Sequence, residues 1–154
     1  MRTVVQRVSS AQVRVDREVV GRIGPGLLLL VGVEKGDTEA DADATARKVA
    51  ALRIFPGRTP MDRSVVEVGG GCLVVSQFTL AGSIAKGNRP SFDGAEVPER
   101  AEGLYLLVAR TLLAAGLPVE TGRFAAAMEV DLVNDGPVTF LVTARGGRVV
   151  GETD

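Results

Sequence analysis

Histidine is absent from all 154 residues, and that absence removes several kinds of chemistry at once. A Ser-His-Asp or Cys-His triad, a His-ligated zinc site and a histidine general base are all excluded. Catalysis, if there is any, must fall to carboxylates, hydroxyls, lysine, tyrosine, the backbone or the substrate itself. Cysteine is nearly absent too: Cys72 stands alone, so an internal disulfide is impossible. It lies in the apolar run Cys72-Leu-Val-Val75 and is expected to behave as a small buried hydrophobe, which suits a reducing compartment. No run approaches the ~18 continuous apolar residues of a membrane span. The opening Met1-Arg-Thr-Val-Val-Gln-Arg7 lacks the apolar core of a signal peptide, so a cytoplasmic location is expected. No cluster of metal ligands is evident, and neither a metal nor a cofactor is expected.

The chain is long enough for one domain, residues 1–154, burying about 70% of its unfolded surface without a covalent staple. A short tail is expected from about residue 149. The formal net charge of −1 and the pI near 5.6 argue against a dominant electrostatic footprint for nucleic acid, though not against a local one.

Periodicity predicts short strands over Thr3–Val8, Gln12–Val15 and Glu18–Ile23. Leu27–Val31, apolar on both faces, should be a central strand. Asp37 or Thr38 caps a helix expected to run to about Phe55, on the stripe Ala42, Ala46, Val49, Leu52. Ser64–Val68 and Cys72–Leu80, joined by Gly69-Gly-Gly71, suggest a hairpin. A second helix starts at Pro98 and ends at Gly116, with Tyr105 on its apolar stripe. Leu117–Phe124 offers a further short strand, and Met128–Asn134 and Val138–Thr143 two more. The expected class is α+β: a mainly antiparallel, barrel-like sheet flanked by two helices.

Three segments break these patterns. Ser76-Gln77-Phe78-Thr79-Leu80 puts polar groups at the end of a strand that is otherwise apolar, either because the strand emerges into solvent or because it works there. The loop Ala81–Asp93 carries Lys86 and Arg89, which either face solvent or meet phosphate. Asp135-Gly136-Pro137 cuts an alternating run; glycine's freedom beside proline's fixed φ and missing N–H makes it either an ordinary turn or a stiff tip offering carbonyls.

Ser76–Leu80 and Asn134-Asp-Gly-Pro-Val-Thr139 together resemble the two signature motifs of the D-aminoacyl-tRNA deacylases. Met1–Ser10 and Lys86–Phe92 are similar to that family as well, so the likeness spans almost the whole chain. The resemblance implies an enzyme cleaving the ester between tRNA and a D-amino acid or glycine, including glycyl-tRNA mischarged on tRNA-Ala. It implies a homodimer in which the Gly136-Pro137 tip, its peptide bond cis, enters the partner's pocket. Ser76, Gln77, Phe78 and Thr79 would then form the catalytic turn, and Gly136, Pro137, Arg7 and Met128 would bind substrate. In this scheme Arg7 would hold the partner's tip, and Lys86 and Arg89 would meet tRNA. Thr79 is open to two roles, nucleophile or positioner; no histidine, and no lysine nearer in sequence than Lys86, stands by to activate it. Two rivals remain at this stage: a related deacylase that takes L-alanyl-tRNA, and an inert tRNA- or DNA-binding module.

Overall fold

The computed structural model describes residues 1–151 and builds one seven-stranded mixed sheet with two helices on one face. The strands are β1 (Arg2–Val15), β2 (Glu18–Ile23), β3 (Gly26–Gly32), β4 (Gly71–Ser76), β5 (Val119–Thr121), β6 (Glu129–Arg145) and β7 (Arg148–Val150). Their order is β5-β4-β3-β1-β6-β7, with β2 also on β1. The helices are α1 (Glu39–Ala51) and α2 (Pro98–Ala114).

The sheet is mixed, which corrects the expectation of a mainly antiparallel one. β3 and β4 run parallel, as do β4 and β5, because α1 and α2 each lie on a crossover between them; parallel neighbours require such a crossover. The same fact removes the expected hairpin. β4 has β3 on one edge and β5 on the other, so Ser64–Val68 has no edge to join. It forms a turn instead, closed by Ser64 N–H to Glu67 Oε1 (3.0 Å) and Glu67 N–H to Ser64 Oγ (3.2 Å).

The two expected opening strands are one long β1. Its first half pairs with β3 and its second half with β2, while β6 runs along its other edge. Leu27–Val31 is central, between β1 and β4. The sheet curls: β2, paired with β1 along its length, also comes against β4 and β5. Two cores result. The larger lies between the sheet and the helices and holds Val5, Leu29, Val49, Tyr105 and Leu112; the smaller fills the curl with Val8, Val13, Leu28 and Leu73.

Helix α1 begins at a capping box in which Thr38 N–H donates to Asp41 Oδ2 (2.9 Å), satisfying an N–H the helix cannot. It ends at Ala51, short of the expected Phe55. Phe55 precedes Pro56, which disfavours helical backbone there, and it pairs with Arg63 instead. The expected tail starts as β7 on β6; residues 152–154 lie outside the described residues. Cys72 is fully buried, and burial pushes its thiol up to about 12.

Candidate active site

Strand β4 ends at Ser76, and the chain turns at once into a short 3-10 helix, Phe78–Ala81, rather than continuing as strand to Leu80. Gln77 N–H donates to Val31 O (2.8 Å) and anchors the turn to β3. The first hydrogen bond of the turn is Leu80 N–H to Gln77 O (3.2 Å), so the N–H groups of Phe78 and Thr79 precede it. Thr79 is exposed, and its hydroxyl oxygen accepts from the Gln77 side-chain amide.

Beside this turn lies a cleft of about 510 Å³. Ser76, Gln77 and Phe78 form one wall, and Phe124, Ala125, Ala126 and Met128 form another. Val33, Val75, Ala101 and Val130 make it largely apolar, with Glu96 as its one charged lining residue. The Glu96 carboxyl is held below the usual carboxylate range by the Val97 N–H and by Arg100, so it stays ionised at neutral pH. No group of three or more Cys, Asp or Glu side chains gathers as a metal set among the described residues.

Several of these residues escape a reading of the sequence. Ala125 has a φ of 63°, uncommon for a residue with a Cβ, yet nothing in Phe124-Ala-Ala-Ala-Met128 announces it. Phe124 is fixed by its stack on Tyr105, with ring centroids 5.7 Å apart. Glu96, Val33 and Ala101 come from segments that sequence patterns give to a loop, a strand end and a helix core.

The second signature segment lies elsewhere. Pairing of β6 with β1 jumps from Asn134↔Val8 to Thr139↔Gln6, which leaves 135–138 out of register as a protruding tip. The Gly136–Pro137 peptide bond is cis, and Gly136 has a φ of 139°. A Cβ on Gly136 would lie 2.6 Å from a Val138 methyl, so both conformation and space demand glycine. Asn134 braces the tip from within, its Oδ1 accepting from Val138 N–H (2.9 Å) and its Nδ2 donating to Thr139 Oγ1 (2.8 Å).

Arg7, 8% exposed, donates through Nε to Asp135 O (2.9 Å) and through Nη1 to Ile54 O (2.7 Å). Within one chain it therefore holds that chain's own tip. Gly136 and Pro137 are exposed and do not line the cleft of their own chain. Met128 does line it, together with Ser76, Gln77 and Phe78. Thr79 sits on the same turn, outside the lining. Lys86 and Arg89 are exposed on the loop between two serines, Ser83 and Ser91, that bridge its ends.

Comparison with known proteins identifies the family. The family model described as D-Tyr-tRNA(Tyr) deacylase matches residues 4–143. The chain is 58% identical to the D-aminoacyl-tRNA deacylase of Paracoccus denitrificans over 141 residues, covering 91% of this chain and 95% of the relative. It is 57% identical to that of Symbiobacterium thermophilum over 143 residues, 92% of this chain and 95% of the relative. Among solved structures it resembles a c-Myc DNA unwinding element binding protein, with a TM-score of 0.88 and 36% identity over 95% of this chain and all of the other. A probable eukaryotic D-amino acid tRNA deacylase shares the fold at a TM-score of 0.75 and 17% identity, over 91% of this chain and 97% of the other. A matching family model across most of the chain, and relatives sharing more than half its residues, place this protein in the D-aminoacyl-tRNA deacylase family.

Proposed function

We infer that the chain hydrolyses the ester joining a D-amino acid to the terminal adenosine of tRNA, releasing the free amino acid and an intact 3′ end. The observation that carries this is the turn that puts Ser76, Gln77 and Phe78 on the wall of the cleft, in a chain 58% identical to a curated deacylase. The N–H groups of Phe78 and Thr79, with the Ser76 hydroxyl, receive the ester carbonyl as it gains negative charge. One such donor is typically worth about 2.7–4 kcal/mol of barrier. Thr79 acts as positioner: its hydroxyl is held by the Gln77 amide, a donor that cannot take up a proton. The 2′-hydroxyl of the terminal adenosine takes part in place of a protein base.

Selectivity comes from the tip. Carbonyls of Gly136 and Pro137 accept from the substrate ammonium, and the rigid proline wall leaves room for a hydrogen or a D side chain but not an L side chain. Glycine esters pass on the same logic, including glycine mischarged on tRNA-Ala. The tip serves a second copy of the chain, because it stands outside its own cleft. Support for a homodimer lies along β6, where β7 covers only Thr143–Arg145. Among the described residues no strand pairs with the rest of that edge, and the strand bears exposed Val133, Phe140 and Leu141, the pattern of an edge that seeks a partner. Lys86 and Arg89 meet tRNA phosphate, and the enzyme works in the cytoplasm.

Incubating the purified protein with D-tyrosyl-tRNA tests the reading. Release of tyrosine supports it. Binding without release identifies an inert nucleic-acid module, to which the likeness to a DNA-binding protein lends some weight. Preferential release from L-alanyl-tRNA would assign the chain to the sister activity instead.

A further inference from the structure

Phe92 lies outside both signature segments, and it touches the first of them. Its ring centroid is 5.1 Å from that of Phe78, with the planes inclined at 59°, a geometry that favours contact between a ring face and an edge. Neither ring is a core residue: Phe78 is 57% exposed and Phe92 40%. The same Phe92 ring lies over Gly82, the residue that ends the 3-10 turn. A Cβ on Gly82 would come within 2.9 Å of Phe92 Cε1 and 3.0 Å of Thr79 O. The bare glycine therefore leaves room for the ring to approach the end of the turn.

Phe92 is itself held from behind. Its carbonyl accepts from Ala95 N–H (3.0 Å), and Glu96 N–H donates to Val33 O (3.1 Å). Ala95 and Glu96 line the same cleft as Phe78. On its other side Phe92 follows the serine bridge, Ser83 N–H to Ser91 O (2.7 Å) and Ser91 N–H to Ser83 O (2.9 Å), which closes the loop carrying Lys86 and Arg89. One residue thus joins the turn, through its ring, to the cleft lining at Ala95 and the base of the basic loop, through its backbone.

We propose that Phe92 is a positioning residue for deacylation, clasping Phe78 and Gly82 so that the N–H groups of Phe78 and Thr79 keep the orientation the ester oxygen needs. This rests on the function inferred above. Truncating the ring leaves the far end of the 3-10 turn to its own hydrogen bonds, Leu80 N–H to Gln77 O and Gly82 N–H to Thr79 O, with the Gln77 anchor to Val31 O at its start.

The test uses the full chain carrying Phe92→Leu and Phe92→Tyr, with two substrates: D-tyrosyl-tRNA and the D-tyrosyl ester of adenosine, which has no phosphate for the loop to hold. Phe92→Leu is expected to lower kcat about three- to tenfold on both esters, with KM for the adenosine ester unchanged, and Phe92→Tyr to restore it. Amide exchange at Leu80 and Gly82 is expected to speed up in Phe92→Leu by a similar factor and to recover in Phe92→Tyr. The proposal is overturned if both amides exchange as in the parent, or if only KM for the tRNA rises, which would make Phe92 a docking residue. Should the parent hydrolyse neither ester, the deacylase reading fails, while the exchange rates still decide whether the clasp holds the turn.

Discussion

Thr79 presents a hydroxyl whose side-chain partner among the described residues is an amide donor. A hydroxyl becomes a useful nucleophile only beside a group that accepts its proton, so the geometry favours the backbone of Phe78 and Thr79 over the side chain of Thr79. Pro137 has a different task in the proposed reading. Its ring is a fixed wall at an exposed tip, and Pro137→Ala is expected to reduce the D-over-L rate ratio on tyrosyl-tRNA by about tenfold or more, since a shape-based filter fails when its wall is trimmed. Rates on both enantiomers, measured at equal enzyme, check this; an unchanged ratio would remove the gate. At this scale the sequence is legible wherever chemistry breaks a pattern, as at Ser76, Gln77 and Gly136-Pro137. It is silent where function depends on backbone: nothing in three successive alanines signals that Ala125 adopts a positive φ at the mouth of the cleft. Arg7 stands out in the sequence, but its bonds to Asp135 O and Ile54 O do not, because spacing cannot tell which carbonyls a guanidinium will reach.

Among the elements, the basic loop and α1 give the sharpest expectations. Lys86 and Arg89 stand on a loop clear of the cleft, so replacing both with Ala is expected to raise KM for charged tRNA while sparing an adenosine ester. The salt dependence of log KM should become shallower by about 0.7–0.9 for each phosphate that the altered loop no longer neutralises, and a steady-state titration in KCl reads it. Helix α1 is tied down through Asp41. Burial alone pushes that carboxyl upward, but N–H donors from Gly147 and Thr38 and the nearby Met1 ammonium outweigh it, leaving it below the ordinary 3.8. The folded value lies below the unfolded one, so the carboxylate stabilises fully above pH 3.8 and that contribution is lost as pH falls through the folded value. Asp41→Asn is therefore expected to cost about 1.5–3 kcal/mol at neutral pH, with the gap to the parent closing below pH 3.8 in urea titrations. Asp37 has the opposite sign. Desolvation raises its carboxyl despite the bond from the Met1 ammonium, so its own ionisation weakens the fold.

Element types are easier to read from sequence than their partners. Leu27–Val31 and Cys72–Val75 are both apolar on two faces and separated by a helix, which is the signature of parallel neighbours. Gly69-Gly-Gly71 is an equally good hairpin signal, and local turn chemistry carries no information about which edge of a strand is already taken. For that reason sequence patterns point to a mainly antiparallel sheet where the fold has a mixed one.

For the molecule as a whole, the proposed reading gives a single chain two half-sites: a cleft, and a tip that stands outside that cleft. Two copies related by a two-fold axis would complete both sites at once, the symmetric solution that most homodimers adopt. Activity per protomer is then expected to fall as the protein is diluted through its dimer dissociation constant, in step with mass measured by light scattering or sedimentation. Constant specific activity in a demonstrably monomeric sample would show that each chain works alone.

The most direct measurement pairs D-tyrosyl-tRNA with L-tyrosyl-tRNA prepared on the same tRNA, at equal enzyme and under single-turnover conditions. The D ester should be cleared while the L ester decays at its enzyme-free rate. Equal clearance of both, or of neither, would contradict the reading of this fold as a chiral gate on an ester-cleaving turn.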